Sequence, residues 1–266
     1  MSKITVDQFR LWKGRKPRPL ALTSYDYPMT RLLDEVGTEI IHVGDSLGML
    51  VLGLPDTTEV TMADMLHHIK AVARAKPRAL ITADLSYRSY ETPQEAVIHS
   101  QQLIAAGAEA VKMEGGQEIE KQIRAVLDAG IAVQGHLGML PQHVKEEGGY
   151  KRKGKTQREQ LRLIEDAMQL EQLGCFSLVL ECVVPEVAHQ ITSQISIPTL
   201  GIASGAECDG EIRVVHDIIG LFPWYQPPHA WEKGQIGEKL KKPSRHFGMN
   251  LICRFLIRNV DVVEVF

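Results

Sequence analysis

Four apolar runs in this chain each stop at a carboxylate. Glu39-Ile40-Ile41-His42-Val43-Gly44 leads into Asp45, Ala79-Leu80-Ile81-Thr82-Ala83 into Asp84, Ala110-Val111-Lys112-Met113 into Glu114, and Phe176-Ser177-Leu178-Val179-Leu180 into Glu181. Short apolar runs bounded by turn residues read as buried strands. If the strands lie parallel in one sheet or barrel, their acids gather on the face where α/β enzymes keep their active sites. Acids so crowded repel one another unless a cation or a proton intervenes. Asp45, Asp84 and Glu114 offer hard oxygen ligands, and no His/Cys cluster competes, so a divalent ion of the Mg²⁺ type is the simplest remedy. The competing reading is that each acid caps a helix or pairs locally; four at matching strand ends weigh against it.

Side chains alternate along a strand, so Lys112 shares a face with Glu114, and such a pair suits a barrel mouth better than an apolar face under helices. The same parity sets Asp45 with Val43, Asp84 with Thr82, Glu181 with Val179 and His136 with Gln134. Lys112 reads as a Schiff-base nucleophile, a clamp for an anionic substrate, or only the partner of Glu114. The clamp is favoured, because neighbouring acids keep the amine charged and a poor nucleophile. His136, between Gly135 and Leu137-Gly138, reads as a structural or a catalytic histidine, and Ser46 adds a hydroxyl beside Asp45. Gly115-Gly116 and Gly201-Ile202-Ala203-Ser204-Gly205 read equally as anion-binding loops or as steric necessities. The long, glycine-containing connection from Leu137 to Thr156 fits a lid. Its Lys151-Arg152-Lys153-Gly154-Lys155 run is a solvated surface or a phosphate site.

Something must position these residues. Gly37, Gly107, Gly130 and Gly174 each end a helix-like stretch and precede a strand-like one, and this rhythm implies parallel strands with crossover helices. Strands are expected over 19–24, 39–44, 79–84, 108–114, 131–136, 176–181, 198–202 and 213–217. Helices are expected over 29–36, 61–75, 93–106, 119–129, 157–173 and 185–194. Thr92-Pro93-Gln94-Glu95 is the best-marked start, with a Thr cap, a first-turn proline and a Glu that completes a capping box. Eight strands make a single (β/α)8 TIM barrel the expected fold, one domain over residues 1–266. An open doubly wound sheet is the alternative, because a seventh helix is hard to find between Ser204 and Arg213. Residues 225–266 form a divergent C-terminal segment: a packed turn over 221–228, a basic polar stretch over 233–245, and an apolar end over 251–266 without a helical pattern.

The 266 residues lie near the ~250 typical of such a barrel. Hydrophobic content of 44% and charged content of 24% are ordinary for a globular protein. A net charge of −3 gives no pull toward nucleic acid, and no apolar run is long enough for a membrane helix. The first residues lack an apolar signal core, so the expected location is the cytoplasm. Cys175, Cys182, Cys208 and Cys253 are too sparse for a disulfide framework and read as reduced thiols.

Several motifs together resemble the ketopantoate hydroxymethyltransferase family: Val43-Gly44-Asp45-Ser46-Leu47-Gly48-Met49, Ala83-Asp84-Leu85, Val111-Lys112-Met113-Glu114-Gly115-Gly116, Gly135-His136-Leu137-Gly138, Gly148-Gly149-Tyr150-Lys151 and Leu180-Glu181-Cys182-Val183. Thr23-Ser24-Tyr25-Asp26 and His216-Asp217 also fit, and the match runs in register from about Ile4 to Trp224. The resemblance implies an α/β barrel of the phosphoenolpyruvate/pyruvate type that moves a hydroxymethyl group from 5,10-methylenetetrahydrofolate to 3-methyl-2-oxobutanoate, in pantothenate synthesis. It implies Mg²⁺ on Asp45 and Asp84 with Glu114 beside them, Ser46 and Lys112 on the oxo acid, Glu181 as proton acceptor, and Tyr25 and His136 as accessory residues. Homo-oligomeric assembly, a decamer, is implied too. Where the family commonly has Gly-Ile-Gly-Ala-Gly, this chain has Ala203 and Ser204 in place of the second glycine and the alanine. A Mg²⁺-dependent C–C lyase or phosphonomutase of the related barrel group, and a non-catalytic barrel scaffold, are the alternatives.

Overall fold

The computed structural model describes residues 2–222, 224 and 234–241. Within them the alternating pattern becomes α1 (Val6–Arg10), β1 (Leu20–Thr23), α2 (Tyr27–Glu35), β2 (Ile40–Val43), α3 (Met62–Ala73), β3 (Leu80–Asp84), α4 (Pro93–Ala106) and β4 (Ala110–Glu114). The chain continues through α5 (Glu120–Asp128), β5 (Val133–Gly138), α6 (Gln157–Leu173), β6 (Ser177–Glu181), α7 (Pro185–Gln194), β7 (Thr199–Ile202) and β8 (Gly210–Arg213). The eight strands are parallel and close into a barrel, with β8 pairing back onto β1. Closure removes the open-sheet alternative.

Local chemistry explains the element ends. Thr92 caps α4 by accepting from the Glu95 amide, and Glu95 answers to the Thr92 backbone; Thr61 and Thr156 build the same boxes for α3 and α6. Gly107 ends α4 at φ +116°, and a Cβ there would stand 2.3 Å from the Ala73 Cβ. Only glycine lets α3 and α4 pack this closely. The barrel interior is layered. Ala21, Ile40, Leu80, Ala110, Val179, Leu200 and Ile212 line its base, and Ile4 and Phe9 of the N-terminal segment close it, with the Phe9 and Phe176 rings edge to face at 6.1 Å. Sealing Phe9 away from water contributes roughly 1.5–3 kcal/mol. The sequence pattern did not mark α1, which is only five residues long.

One expectation changes. The eighth strand is Gly210–Arg213, not 213–217: Ile212 pairs with Ala21, and residues Val215–Ile219 form the helix α8. A Cβ on Gly210 would meet the Pro19 carbonyl at 2.5 Å, so the glycine is what allows β8 to lie against the start of β1. No helix lies between β7 and β8 among the described residues. The barrel lies within one compact unit, Met1–Val214, and Val215–Phe266 is a second, in which α8 and α9 (Ile236–Lys241) are described. Most of the turn, basic stretch and apolar end expected after residue 221 lies outside the described residues.

Backbone constraints converge beside the end of β6. Gly138 has φ +102°, and a Cβ on it would lie 2.1 Å from the Glu181 carbonyl oxygen. Gly138→Ala is expected to lower stability by about 2 kcal/mol or more in urea unfolding. Ala203 sits at φ +55°, a left-handed conformation costing an L-residue roughly 1–2 kcal/mol. Ala203→Gly is expected to raise stability by about 0.5–1 kcal/mol, the gain being cut by the freer unfolded chain.

Candidate active site

Register brings the polar residues together. Asp84 pairs with Lys112 across β3 and β4, and Glu114 with His136 across β4 and β5, so neighbouring side chains share the interior face. Lys112 Nζ lies 2.8 Å from Asp84 Oδ1, 3.5 Å from Glu114 Oε1 and 3.1 Å from His136 Nδ1. His136 Nδ1 is also 3.3 Å from Glu114 Oε1; it accepts from the ammonium in the neutral ring and donates to the carboxylate in the imidazolium. Its Nε2 points toward Glu181 Oε2 at 3.4 Å. The Asp84, Glu114 and His136 side chains are all but sealed, whereas that of Glu181 is 17% exposed. Glu181 is the acid that a molecule in the mouth can reach.

Burial alone would push Asp84 and Glu114 up, but the Lys112 ammonium brings both below the usual carboxylate range, aided by His42 at Asp84 and His136 at Glu114. Burial would likewise deprotonate Lys112, and Asp84, Glu114 and Asp45 outweigh it, raising its pKa. The amine therefore stays charged. Burial and Lys112 lower the His136 pKa, while Glu114 and Glu181 raise it further, for a net upward shift. Asp45 is the exception: burial first, then Asp84 and Glu114, push its carboxyl well above the ordinary value. One ammonium faces three buried carboxylates.

Asp45 reaches the cluster from the turn after β2, not from the strand. Parity had set it with Val43, but β2 ends there, and it is His42 that turns inward, with Nδ1 2.8 Å from Thr82 Oγ1 and Nε2 3.3 Å from Asp84 Oδ2. The Asp45 amide donates to Asp84 Oδ2 at 3.1 Å. Next to it, Ser46 Oγ and Tyr25 Oη are 2.8 Å apart. All eight residues singled out from the sequence thus lie at the C-terminal end of the barrel.

Other buried groups were not foreseen. The Gln142 amide group donates to Asp45 Oδ2 and Leu85 O, and its backbone N–H donates to Glu114 Oε2. Tyr90 Oη donates to Gln142 Oε1 at 2.6 Å. His42 carried a signal, since it shares its parity with Ile40 in the barrel interior; Gln142 sits in the long connection, where periodicity is silent. That connection is less bare than expected, with a short 3₁₀ turn over Pro141–His143. It is tied to the end of β6, as the Lys153 amide donates to Cys182 O and Val184 N to Lys153 O. Lys153 pairs with Glu147, and Lys151 donates to the Glu147 carbonyl. Both glycine loops have a steric reason for glycine. A Cβ on Gly116 would run into the Asp166 carboxylate, and one on Gly205 into Pro185. Ser204 adds a lock, accepting from Val183 N at 3.0 Å and lying 2.8 Å from Leu180 O, on either side of Glu181 and Cys182.

The donor set suits a hard divalent cation. Asp84 Oδ1 is buried with no aligned hydrogen-bond donor, although Lys112 is close, and Gln142 takes only Oδ2 of Asp45. Glu114 is turned to other partners through both oxygens. Accordingly, no group of three His, Cys, Asp or Glu side chains among the described residues is placed to hold an ion by itself. Removing Lys112 would leave Asp84 and Glu114 uncompensated. Lys112→Met is expected to cost about 3–5 kcal/mol in metal-free urea unfolding. Adding Asp84→Asn should restore part of that loss, as a double-mutant cycle would measure.

A family model for ketopantoate hydroxymethyltransferase matches residues 3–251. The 3-methyl-2-oxobutanoate hydroxymethyltransferase of Ignicoccus hospitalis is 47% identical over 249 residues, which are 93% of this chain and 94% of that protein. Its counterpart in Pyrobaculum aerophilum is 50% identical over 210 residues, 79% of this chain and 80% of that protein. Among solved structures, a phosphonopyruvate hydrolase in complex with oxalate and Mg²⁺ superposes with a TM-score of 0.60 at 14% identity, covering 99% of this chain and 100% of that one. At that identity the likeness speaks for the barrel fold alone.

Proposed function

This chain belongs to the ketopantoate hydroxymethyltransferase family, and on that premise we propose that the carboxylates and ammonium at its barrel mouth carry out the family's reaction. The chain is an enzyme that transfers a hydroxymethyl group to 3-methyl-2-oxobutanoate, giving 2-dehydropantoate for pantothenate synthesis. Family membership removes support from the lyase, phosphonomutase and scaffold alternatives. The reading extends to 5,10-methylenetetrahydrofolate as donor, to a homo-oligomer and to the cytoplasm. Free thiols at Cys175, Cys182 and Cys208 fit a reducing compartment.

In this reading Asp45 and Asp84 hold Mg²⁺, while Glu114 serves as counter-charge to Lys112. The ion, when bound, supplies Lewis-acid polarisation of the 2-oxo group, which acidifies the neighbouring C3–H. Lys112, held as an ammonium, and Ser46, oriented by Tyr25, clamp the oxo acid's oxygens. Water adds to the donor's methylene carbon as its two C–N bonds break, the two nitrogens taking the water's protons, which releases the carbon as formaldehyde. Glu181 takes the C3 proton, C3 adds to the formaldehyde carbon, and the carbonyl oxygen becomes the new hydroxyl by taking that proton back from Glu181. The observation that carries this assignment is the accessibility of Glu181 beside a sealed ammonium–carboxylate cluster.

Metal-assisted proton removal precedes carbon transfer here, so the two halves can be separated. With Mg²⁺ but no folate, the enzyme is expected to exchange the C3 proton of 3-methyl-2-oxobutanoate for deuterium in D₂O, followed by proton NMR. Glu181→Gln should lose both exchange and transfer, by about 10²–10⁴-fold. Exchange preserved in Glu181→Gln with transfer abolished would move Glu181 to the folate side of the reaction.

A further inference from the structure

Gln142 is buried in the connection between β5 and α6, and each polar group that its side chain and amide offer has a partner from another part of the barrel mouth. Its Nε2 donates at 2.9 Å to Asp45 Oδ2, from the turn after β2, and at 2.7 Å to Leu85 O, just past β3. Its backbone N–H donates at 3.1 Å to Glu114 Oε2, at the end of β4. Its Oε1 accepts from Tyr90 Oη at 2.6 Å, and Tyr90 Oη also lies 3.4 Å from the Glu114 carbonyl. The Asp45 carboxylate and the Leu85 carbonyl, as acceptors, settle which way the amide points by requiring Nε2, and Tyr90 Oη then donates to the remaining Oε1 and holds the amide in that orientation. Burial, then Glu114, push the Tyr90 pKa well above its ordinary value, so the phenol remains a donor.

A buried carboxylate with one oxygen engaged by a fixed amide cannot rotate freely. Asp45 is therefore held with Oδ2 against Gln142, which leaves Oδ1 for whatever occupies the mouth. The 3₁₀ turn over Pro141–His143 that delivers Gln142 is in turn pinned to three strand ends. We infer that Gln142, oriented by Tyr90, is a positioning residue that sets the Asp45 carboxylate for cation binding and straps the β5–α6 connection over the mouth. The cation half of this inference rests on the proposed Asp45–Asp84 site; the strap half does not. Supporting partners of this kind, once removed, weaken metal binding by roughly 10–100-fold.

The test uses the full-length protein in two forms, Gln142→Leu, which removes both donors and the acceptor, and Tyr90→Phe, which removes only the group that orients the amide. Hydrogen exchange of metal-free protein reads the strap. Amides of residues 139–149 should exchange at least about tenfold faster in Gln142→Leu, and less so in Tyr90→Phe, with strand amides unchanged. Calorimetric titration with Mg²⁺ alone reads the carboxylate. Gln142→Leu should bind roughly tenfold or more weakly, and Tyr90→Phe a few-fold more weakly. Wild-type exchange and wild-type Mg²⁺ affinity in Gln142→Leu would overturn the inference. If Gln142→Leu does not fold, the same two results in Tyr90→Phe would overturn it. Wild-type protein that binds no Mg²⁺ would sink the proposed metal site and the cation half with it, while hydrogen exchange still decides the strap.

Discussion

The barrel mouth depends on one ammonium. Lys112 Nζ sits within 3.5 Å of two carboxylates, deep enough that water gives almost no help. At 2.8 Å a unit charge pair in a medium of effective dielectric ~20 gains about 6 kcal/mol, while each buried ion loses several kcal/mol of hydration. A single Lys112–Asp84 pair therefore roughly breaks even. Glu114 adds a second attraction, and His136 gives the ammonium a further acceptor. Asp45 is the one left over: burial first, then Asp84 and Glu114, push its carboxyl up, and Lys112 with Gln142 only partly offsets them. A site with a surplus of buried oxygen charge is one that favours a divalent cation.

Such a cluster can exist only because the rest of the barrel is ordinary. Below it, Ile40, Leu80, Ala110, Val179 and Leu200 fill the interior, and Phe9 seals the base. This apolar layer supplies the stability from which the strain at the top is drawn. Parallel register does the positioning: Asp84 beside Lys112 and Glu114 beside His136 are pairs of residues at equal height on adjacent strands. A slip of one residue in β4 would turn Lys112 and Glu114 out toward the helices and put Val111 and Met113 in the mouth.

What could be read in the sequence was whatever carried a period or a terminal signal. Strands ending at Asp84, Glu114 and Glu181, the capping box at Thr92 and the glycines after helices were legible because each reports a local backbone rule. The family motifs added the reaction. Asp45 was found but placed by the wrong rule, because alternation lapses where β2 turns at Val43. β8 was displaced because Gly210's reason for being glycine, contact with Pro19, is a long-range fact. His42, Tyr90 and Gln142 were missed for a related cause. Their importance lies in partners 24 to 97 residues away, and of the three only His42, by its parity with Ile40, carried a local signal.

The acids at the mouth carry the same chemical group and do different things, and environment alone divides them. Asp84 and Glu114 are held ionised by Lys112, which makes them fixed charges rather than proton acceptors. Asp45, short of cations, is the carboxylate whose ionisation a metal would restore. Glu181 lies on the far side of His136 from Lys112 and keeps contact with solvent, so neither a neighbouring ammonium nor full burial ties up its oxygens. The segment behind it is constrained from several sides: Gly138 presses on its carbonyl, Cys182 follows at φ +51°, and Ser204 bridges Leu180 and Val183. A base that removes a proton from carbon needs both properties at once, an oxygen free to react and a backbone that does not move. Of the four acids at the mouth, Glu181 combines them.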